Sequence, residues 1–529
     1  MKEITKTENQ RPKTKFVWLF FLFAIIAVYF FGLSIPLLGP DEARYAQVAR
    51  EMYERGDFIT PTLGGFNWFE KPALLYWLQI FSYKLFGVSE FAARFGSAIF
   101  GLGTILSLWI LGKSVSNSET KDKEQRTKNE FATWLALISA SSIGLLAFSR
   151  GASFDIILTF PITASLVCYF LFELCLQSHY FSENPNFVLT KNAKIVSANN
   201  KLLKAYLFLG GFYFFIGVAL LAKGLVGIIF PFAIVFFYHI IKLELLRSRI
   251  FLISLFWGTI VSILVASVWY LPIYLTHGQT FIDEFFIQHH FQRFTSNKYQ
   301  HPQPFYFFFL VLPLMTIPWL PFFLASIWSF FKVQSPKSKV QSEIKLSTFA
   351  FAWLLVPLVF FSLSGSKLPG YILPALPAAL ILTAEYVWRF VQKSKRRKIF
   401  VRIVAFLTFA VVVLILQFFI NNFTRRETVK NLIETANAQG YTTEKVLNFN
   451  TISHNAEFYA NGRLVRTDDG KLRRFYEVGE IIEEMKRENI NEMLVLVPLE
   501  HLNQLTESAL IKTNVLGDNT ELAIVLVKL

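Results

Sequence analysis

Long apolar runs recur along the first four-fifths of this 529-residue chain. A helical run of about eighteen residues or more is long enough to cross the ~30 Å hydrocarbon core of a bilayer. The runs therefore predict a mainly α-helical, polytopic transmembrane bundle. We expect about eleven spans, namely residues 16–38, 89–112, 131–149, 154–177, 205–222, 225–241, 251–275, 305–331, 347–364, 370–391 and 403–420.

The formal net charge of +15 is distributed unevenly along the chain. Lys and Arg exceed Asp and Glu in the N-terminal tail and in alternate connections, which are residues 113–130, 179–204, 242–250, 332–346 and 392–402. Positively charged loops are retained in the cytoplasm, so topology explains the charge and no nucleic-acid partner is expected. The first apolar run lacks a small-residue cleavage site and is predicted to stay as an anchor. We expect a multi-pass inner-membrane protein with a cytoplasmic N-terminus and an odd number of spans, which places the C-terminus in the periplasm.

The chain divides into two regions by composition. Residues 1–421 form the predicted membrane domain, with long outer loops at 39–88 and 276–304. Residues 422–529 alternate helix-like stretches with short β-rich runs, which is typical of a small soluble α/β domain. We predict helices at 424–438, 477–488 and 499–510 and strands at 446–449, 493–497 and 522–527.

The sequence contains no glycine-rich nucleotide-binding fingerprint, so no nucleotide cofactor is expected. The C-terminal domain has no recognisable catalytic cluster, and we interpret it as accessory. Cys168 and Cys175 lie within one apolar span, where they are predicted to be small buried hydrophobic residues rather than a disulfide.

The first outer loop begins with two adjacent carboxylates, Asp41 and Glu42. Apolar residues then recur at helical spacing until Gly56, which predicts an amphipathic helix on the membrane surface. A carboxylate at the positive end of such a helix is kept ionised and can act as a general base. Arg44 is a candidate phosphate ligand. The alternative is that Asp41 caps the helix while Glu42 is solvated.

A second polar cluster, Glu70 and Lys71, lies among aromatic residues typical of a membrane interface. An ammonium group in this position is suited to bind a lipid phosphate. The alternative is a structural ion pair between Glu70 and Lys71. Asp155 begins a later span. It either supports the general base or is a structural carboxylate in the first turn of its own helix.

Two further predicted outer connections carry cations and histidines. His289 and His290 point to different helix faces, so they are not expected to bind one metal together, but one of them could do so with Glu70. Arg293 suits phosphate oxygens, and Lys367 and Tyr371 could complete an anionic lipid site. Lys223 is a similar cation between spans, and it or Lys367 could instead extend to the interface.

These motifs resemble the bacterial C-type glycosyltransferases. The closest resemblance is to the lipid A 4-amino-4-deoxy-L-arabinose transferases and to the protein O-mannosyltransferases of glycosyltransferase family 39. The motifs are PDEARYA at 40–46, REM at 50–52, GD at 56–57, FEKP at 69–72, LYW at 75–77, KG at 223–224, HFQRF at 290–294, FSLS at 361–364, KLP at 367–369 and YILP at 371–374.

The resemblance implies an enzyme that transfers a monosaccharide from a polyprenyl-phosphate donor to lipid A, a glycan or another cell-envelope acceptor outside the inner membrane. It implies Asp41 as the catalytic acid/base and Asp155 as the second outer acid. It also implies a divalent metal ion held by Glu70 and His290, with donor phosphate or lipid held by the cations and the tyrosine, which are Lys71, Arg293, Lys367 and Tyr371.

Three questions stay open at this point. His289 stands where the aminoarabinose enzymes have an acid, and Ala73 stands where they have a second proline, so the donor sugar is not fixed. A protein hydroxyl is an alternative acceptor. A lipid-linked sugar transporter is an alternative of another class, although transporters place their ionisable residues near the bilayer midplane.

Overall fold

The computed structural model describes residues 11–116, 124–183, 198–242, 249–292, 302–333 and 346–529. The predicted phosphate ligand Arg293 lies outside these ranges. His290 lies in a described helix, with its side chain outside the described part of the structure.

The membrane region is built from long apolar helices, as predicted. Its helices are α1 (Arg11–Phe30), α2 (Gly39–Arg55), α3 (Leu74–Phe86), α4 (Glu90–Ser116), α5 (Glu124–Ala140), α6 (Ile143–Phe148), α7 (Phe154–Glu183), α8 (Ala198–Lys223), α9 (Val226–Ile241), α10 (Arg249–Ile282), α11 (Phe307–Met315), α12 (Leu320–Val333), α13 (Leu346–Ser362), α14 (Leu376–Gln392), α15 (Lys395–Leu414) and α16 (Ile420–Glu427). Asp283–Gln292 and Ile415–Phe419 are π-helical, and Pro369–Ala375 is a 3₁₀ helix that leads into α14.

Within the described residues, six helical segments are long and apolar enough to cross a membrane, and α11 with α12 forms a seventh, bent candidate. The same part of the chain contains four shorter apolar helices, within α1, α5, α9 and α13, which correspond to the remaining predicted spans. The protein is therefore a multi-pass membrane protein, although several of the predicted spans are shorter than a full crossing.

The predicted span at 305–331 is present as a broken pair of helices. Helix α12 bends by 117° away from the direction of α11, and the turn between them packs against a second break, between α5 and α6. The N–H of Ile143 donates to the Ile317 carbonyl at 2.8 Å, and the Trp319 indole donates to the Ser141 hydroxyl at 3.1 Å. The two breaks thus satisfy each other's polar groups, which hydropathy alone does not reveal.

Helix α2 confirms the amphipathic helix predicted in the first outer loop. Pro40 stands in its first turn, and Gly56 ends it in the left-handed conformation at φ 69°. Its buried face includes Ala43, Tyr45, Ala46, Val48, Ala49 and Met52. The Tyr83 hydroxyl of α3 donates to the Ala46 carbonyl at 3.1 Å, so α2 packs on α3. A short hairpin, β1 (Thr62–Leu63) and β2 (Phe66–Asn67), separates the two helices.

The C-terminal region forms a mixed five-stranded sheet in the order β4-β3-β5-β7-β6. Its strands are β3 (Val446–Phe449), β4 (Arg474–Phe475), β5 (Glu492–Pro498), β6 (Lys512–Asp518) and β7 (Leu522–Lys528). Its helices are α17 (Lys430–Ala438), α18 (Ala456–Tyr459), α19 (Val478–Arg487) and α20 (Leu502–Thr506).

The three predicted strands of this region are confirmed. Strand β6 was not predicted, because it is a half-exposed edge strand without the continuous apolar run of a central strand. The predicted helix at 424–438 is interrupted between α16 and α17.

The C-terminal domain rests on the first outer loop. The hydroxyl of Tyr459 accepts the Leu37 N–H at 2.8 Å and lies 3.2 Å from an oxygen of Glu90. That carboxylate also pairs with Lys430 at 2.7 Å. These contacts join α17 and α18 to the residues that precede α2 and to the start of α4.

Candidate active site

A cavity of about 360 Å³ lies at the ends of several helices, beside the first outer loop. The lining carries five charged residues and a tyrosine, which are Asp41, Glu70, Lys71, Asp155, Lys223 and Tyr371. Much of the remaining lining is apolar and comes from α7, from α13 and from the start of α9 with the residue before it, through Leu158, Phe360, Phe361, Leu225, Val226 and Ile229. Ile229 is 43% exposed, so the apolar wall of the cavity extends to the surface of the protein. Charged residues that are distant in the sequence thus converge on one cavity.

Asp41 occupies the first turn of α2 and lines the cavity. Its side chain is 57% exposed, and one carboxylate oxygen lies 3.6 Å from a guanidinium nitrogen of Arg44. An accessible carboxylate at a cavity wall can accept a proton from a bound hydroxyl group.

Glu42 is held in a different environment from its neighbour. Its two oxygens accept from Arg94 at 3.0 and 2.7 Å, from the Leu38 N–H at 3.0 Å and from the Ala152 N–H at 2.7 Å. Burial opposes ionisation of this carboxyl group, but Arg94 and the two backbone donors outweigh burial and lower the pKa of Glu42. Glu42 does not line the cavity, so its predicted catalytic role lacks geometric support. We interpret Glu42 as a structural residue that joins α2 to α4 through Arg94.

Arg44 also lies outside the cavity lining. Its guanidinium is 5.4 Å from the ring centroid of Trp68, which is a cation–π distance, and it pairs with Asp41. Arg44 therefore positions Asp41 rather than facing the space that a phosphate would fill.

Glu70 and Lys71 form an ion pair at 2.8 Å, and each side chain is 11% exposed. Two tyrosines lie close to this pair. Burial, followed by the charge of Glu70, raises the pKa of Tyr45 and of Tyr76, so both phenols stay protonated. Tyr45 lines the cavity and can donate a hydrogen bond there. We did not predict this role, although Tyr45 follows Asp41 by one helical turn and shares its face.

Asp155 and Lys223 form a second ion pair across α7 and α8. The ammonium of Lys223 is 5.1 Å from the ring centroid of Tyr371, in the 3₁₀ helix. The backbone at Gly370 approaches Asp155 so closely that an added Cβ would lie 1.8 Å from a carboxylate oxygen. A glycine is therefore required where this helix meets α7.

Lys367 is buried and donates to the Ser364 carbonyl at 2.6 Å. It does not line the cavity, whereas its neighbours Ser364, Ser366 and Leu368 do. Its position indicates that it fixes the shape of this connection, and the predicted contact with lipid phosphate lacks geometric support.

Comparison with known proteins identifies the family. Residues 15–282, half of the chain, match the family described as dolichyl-phosphate-mannose-protein mannosyltransferase, abbreviated PMT. The chain belongs to the PMT family.

Among curated proteins, this PMT-family chain is similar to undecaprenyl phosphate-alpha-4-amino-4-deoxy-L-arabinose arabinosyl transferases. The protein from Yersinia enterocolitica is 30% identical over 70% of this chain and 59% of its own length. The protein from Serratia proteamaculans is 29% identical over 69% of this chain and 59% of its own length. An uncharacterized protein of Aquifex aeolicus is 28% identical over 70% of this chain and 64% of that protein. The chain thus spans less than two thirds of the length of these relatives.

Among solved structures, the PMT-family chain is similar in fold to ArnT from Cupriavidus metallidurans. The crystal structure of ArnT bound to undecaprenyl phosphate superposes with a TM-score of 0.72 and 19% identity, over 96% of this chain and 97% of that chain. The apo form gives 0.73 with 19% identity. The predicted fold of a C-type glycosyltransferase is therefore confirmed.

The predicted metal site of this PMT-family chain stays a prediction. Within the described residues, no group of three His, Cys, Asp or Glu side chains is placed to hold a metal ion. Glu70 is already paired with Lys71, and the side chain of His290 is not described. We therefore derive no chemical step through a metal ion.

Proposed function

We propose that this protein transfers a monosaccharide from an undecaprenyl-phosphate-type donor to a lipid A, glycan or other cell-envelope acceptor. One observation carries the proposal. A single cavity joins an accessible carboxylate, two lysines and an apolar wall that extends to the surface of the protein. The relatives named for undecaprenyl phosphate-linked aminoarabinose transfer, and the ArnT structure that holds undecaprenyl phosphate, support a donor of this class.

In this proposal the donor occupies both the polar and the apolar part of the cavity. Its prenyl chain follows Leu158, Ile229 and Phe360, while its phosphate lies near Lys71 and Lys223. Each of these lysines is partly neutralised by a carboxylate, Glu70 or Asp155. That pairing fixes each ammonium group in place before the donor binds, as electrostatic preorganisation requires.

The transfer step then follows from the position of Asp41. Asp41 accepts the proton of the acceptor hydroxyl while the acceptor oxygen forms a bond to the anomeric carbon of the sugar. The bond between that carbon and the phosphate oxygen breaks, and its electron pair leaves with undecaprenyl phosphate. The two lysines and the hydroxyl groups of Tyr45 and Tyr371 stabilise the negative charge on the departing phosphate.

We also propose that the protein lies in the inner membrane with its N-terminus in the cytoplasm. The excess of Lys and Arg in alternate connections supports this orientation. The cavity and the C-terminal domain would then face the periplasm, where a lipid-linked sugar meets its acceptor.

The description of the matched family favours a second acceptor, a protein hydroxyl. The test is to incubate the purified chain in lipid nanodiscs with undecaprenyl phosphate-linked aminoarabinose or mannose. Each donor is offered with lipid A, with a Ser/Thr-rich peptide, or with neither. Release of undecaprenyl phosphate that depends on lipid A supports the first proposal, and release that depends on the peptide supports the second.

Release from neither donor with either acceptor would contradict both acceptor assignments. A lipid-linked sugar transporter would instead move the fluorescent donor across a vesicle membrane without releasing undecaprenyl phosphate. A vesicle assay with such a donor therefore separates transport from transfer.

A further inference from the structure

The tip of the β1–β2 hairpin is bound to α2 through one carboxylate. Glu51 accepts from the N–H of Gly64 at 2.7 Å and from the N–H of Gly65 at 3.2 Å. It also accepts from the Thr62 hydroxyl at 2.7 Å. The hairpin is therefore fixed to α2, which is the helix that begins with the proposed base.

The residues that directly follow the hairpin belong to the proposed catalytic machinery. Glu70 and Lys71 come after β2 and line the cavity. The ring centroid of Trp68 lies 5.4 Å from the guanidinium of Arg44, and Arg44 in turn pairs with Asp41. A shift of the hairpin would therefore move a phosphate-binding lysine and the support of the base together.

The hairpin tip also contacts the C-terminal domain. A Cβ atom added at Gly64 would overlap Nε of Arg466 and would lie 2.6 Å from its Cζ, so the guanidinium lies directly against the Gly64 backbone. A Cβ atom added at Gly470 would lie 2.6 Å from Cγ of Phe66. One glycine in the hairpin and one in the C-terminal domain thus permit the close approach, because neither has a side chain.

Arg466 is itself held in place by its own domain. Its guanidinium forms an ion pair with Glu457 of α18, and the two side chains are 7% and 3% exposed. It also donates to the Gly470 carbonyl at 2.9 Å. The atoms that meet Gly64 are therefore not the free end of a flexible side chain, and they fix the position of the hairpin relative to the C-terminal domain.

We propose that Arg466 is a positioning residue, which holds the β1–β2 hairpin in place for sugar transfer. Arg466 does not line the cavity and acts through Lys71 and Trp68, which follow the hairpin. The inference rests on the proposed function and deepens it. It makes the C-terminal domain responsible for part of the preorganisation that stabilises the departing phosphate.

The test compares the two neighbouring glycines of the hairpin tip. Gly64 and Gly65 have φ values of 62° and 84°, so alanine strains the backbone at either position. Only the Gly64 substitution crowds Arg466, because nothing lies within 4 Å of a Cβ atom added at Gly65. In nanodiscs with undecaprenyl phosphate-linked sugar and lipid A, we expect kcat to fall about 10- to 100-fold in Gly64→Ala, and to stay within about twofold of wild type in Gly65→Ala.

A compensating variant separates positioning from a loss of folding. Arg466→Lys keeps the charge that pairs with Glu457 but removes the guanidinium plane that lies against Gly64. Gly64→Ala combined with Arg466→Lys should recover part of the kcat lost in Gly64→Ala, because the thinner side chain leaves room for the methyl group. Arg466→Lys alone completes the double-mutant cycle, and the melting temperatures of Gly64→Ala and Gly65→Ala should agree.

Two results would overturn the inference. One is an equal kcat in Gly64→Ala and Gly65→Ala, and the other is a cycle in which the losses from Gly64→Ala and Arg466→Lys simply add. Hydrogen–deuterium exchange of residues 62–72 does not depend on transfer and separates this inference from the proposed function. If the wild type transfers no sugar, faster exchange in Gly64→Ala than in Gly65→Ala still supports positioning of the hairpin, and equal exchange removes it.

Discussion

Asp41 and Glu42 are adjacent carboxylates whose environments assign them different tasks. Asp41 is more than half exposed and borders the cavity. The side chain of Glu42 is 16% exposed and bound to Arg94. The protein itself occupies the hydrogen-bond acceptor positions of Glu42, so this residue has a structural role. In the described part of the chain, Asp41 keeps free acceptor positions, so it can react.

Asp41→Asn tests the reactive group. The amide keeps the shape of the side chain but does not accept a proton, so we expect transfer to fall by about 10²- to 10⁴-fold, the usual contribution of a general base. Thermal unfolding in detergent should be unchanged. Glu54→Gln, on the same helix in an exposed ion pair with Arg50, is the control and should transfer normally. Turnover at the wild-type level in Asp41→Asn would exclude Asp41 as the base.

Glu42→Gln tests the structural group. The substitution removes the carboxylate that pairs with Arg94. Breaking a buried ion pair costs about 3 kcal/mol or more, so the melting temperature of the variant should fall at pH 7. Because the pKa of Glu42 is lowered in the folded protein, its stabilisation is complete above about pH 4.5, the ordinary value. It is lost as the pH falls through the lower folded value. The melting-temperature gap between wild type and Glu42→Gln should therefore narrow in acid, and a gap independent of pH would contradict the ion pair.

At the scale of elements, the site depends on the junction between α7, α8 and the 3₁₀ helix. Asp155 begins α7, Lys223 ends α8, and Gly370 lets the third element approach the carboxylate. None of these residues is close to another in the sequence. Helix packing brings these residues together, and it places the Asp155–Lys223 ion pair in the same cavity as the Glu70–Lys71 ion pair.

Gly370→Ala tests this junction. The new Cβ would overlap Asp155 and crowd Phe148, so we expect the Asp155–Lys223 pair to shift. Misplacement of a positioned group by about 1 Å can cost on the order of 100-fold in rate, and a kinetic assay of transfer measures this loss. Gly210→Ala, in α8, adds the same methyl group where nothing lies within 4 Å and should be neutral. Equal activity of the two variants would show that the close approach is unimportant.

At the scale of the whole molecule, the C-terminal domain packs directly on the membrane region. Tyr459 and Lys430 of the C-terminal domain both reach Glu90, and α18 covers α2. This packing requires the domain to lie on the same side of the membrane as the cavity.

The proposed orientation can be measured by cysteine labelling. In a variant with Cys168 and Cys175 replaced by Ala, a cysteine at the exposed position Glu507 should react with a membrane-impermeant maleimide in intact spheroplasts. A cysteine at the exposed position Lys393 should react only after the membrane is opened. The reverse pattern would invert the topology and place the cavity in the cytoplasm.

Much of the architecture could be predicted because its signals are local. Apolar runs predict the spans, and the spacing from Tyr45 to Met52 with Gly56 at the end predicts α2. The prolines and serines at the α5–α6 and α11–α12 breaks lie inside apolar runs, so the mean hydropathy of each run stays high. The sequence analysis missed the breaks for this reason, and because their polar groups are hydrogen-bonded to residues that are distant in the sequence.

The sequence by itself determined that this chain crosses a membrane several times and brings acids and cations to the ends of its helices, because hydropathy and helical periodicity depend on neighbouring residues. Only the tertiary structure decided that Asp41 faces the cavity while Glu42 is bound to Arg94. It also decided that Lys223 joins Asp155 and that Tyr459 of the C-terminal domain bonds to the backbone of Leu37. These choices depend on which remote side chains meet, and the energy of a carboxylate or an imidazole is set by those partners and by burial.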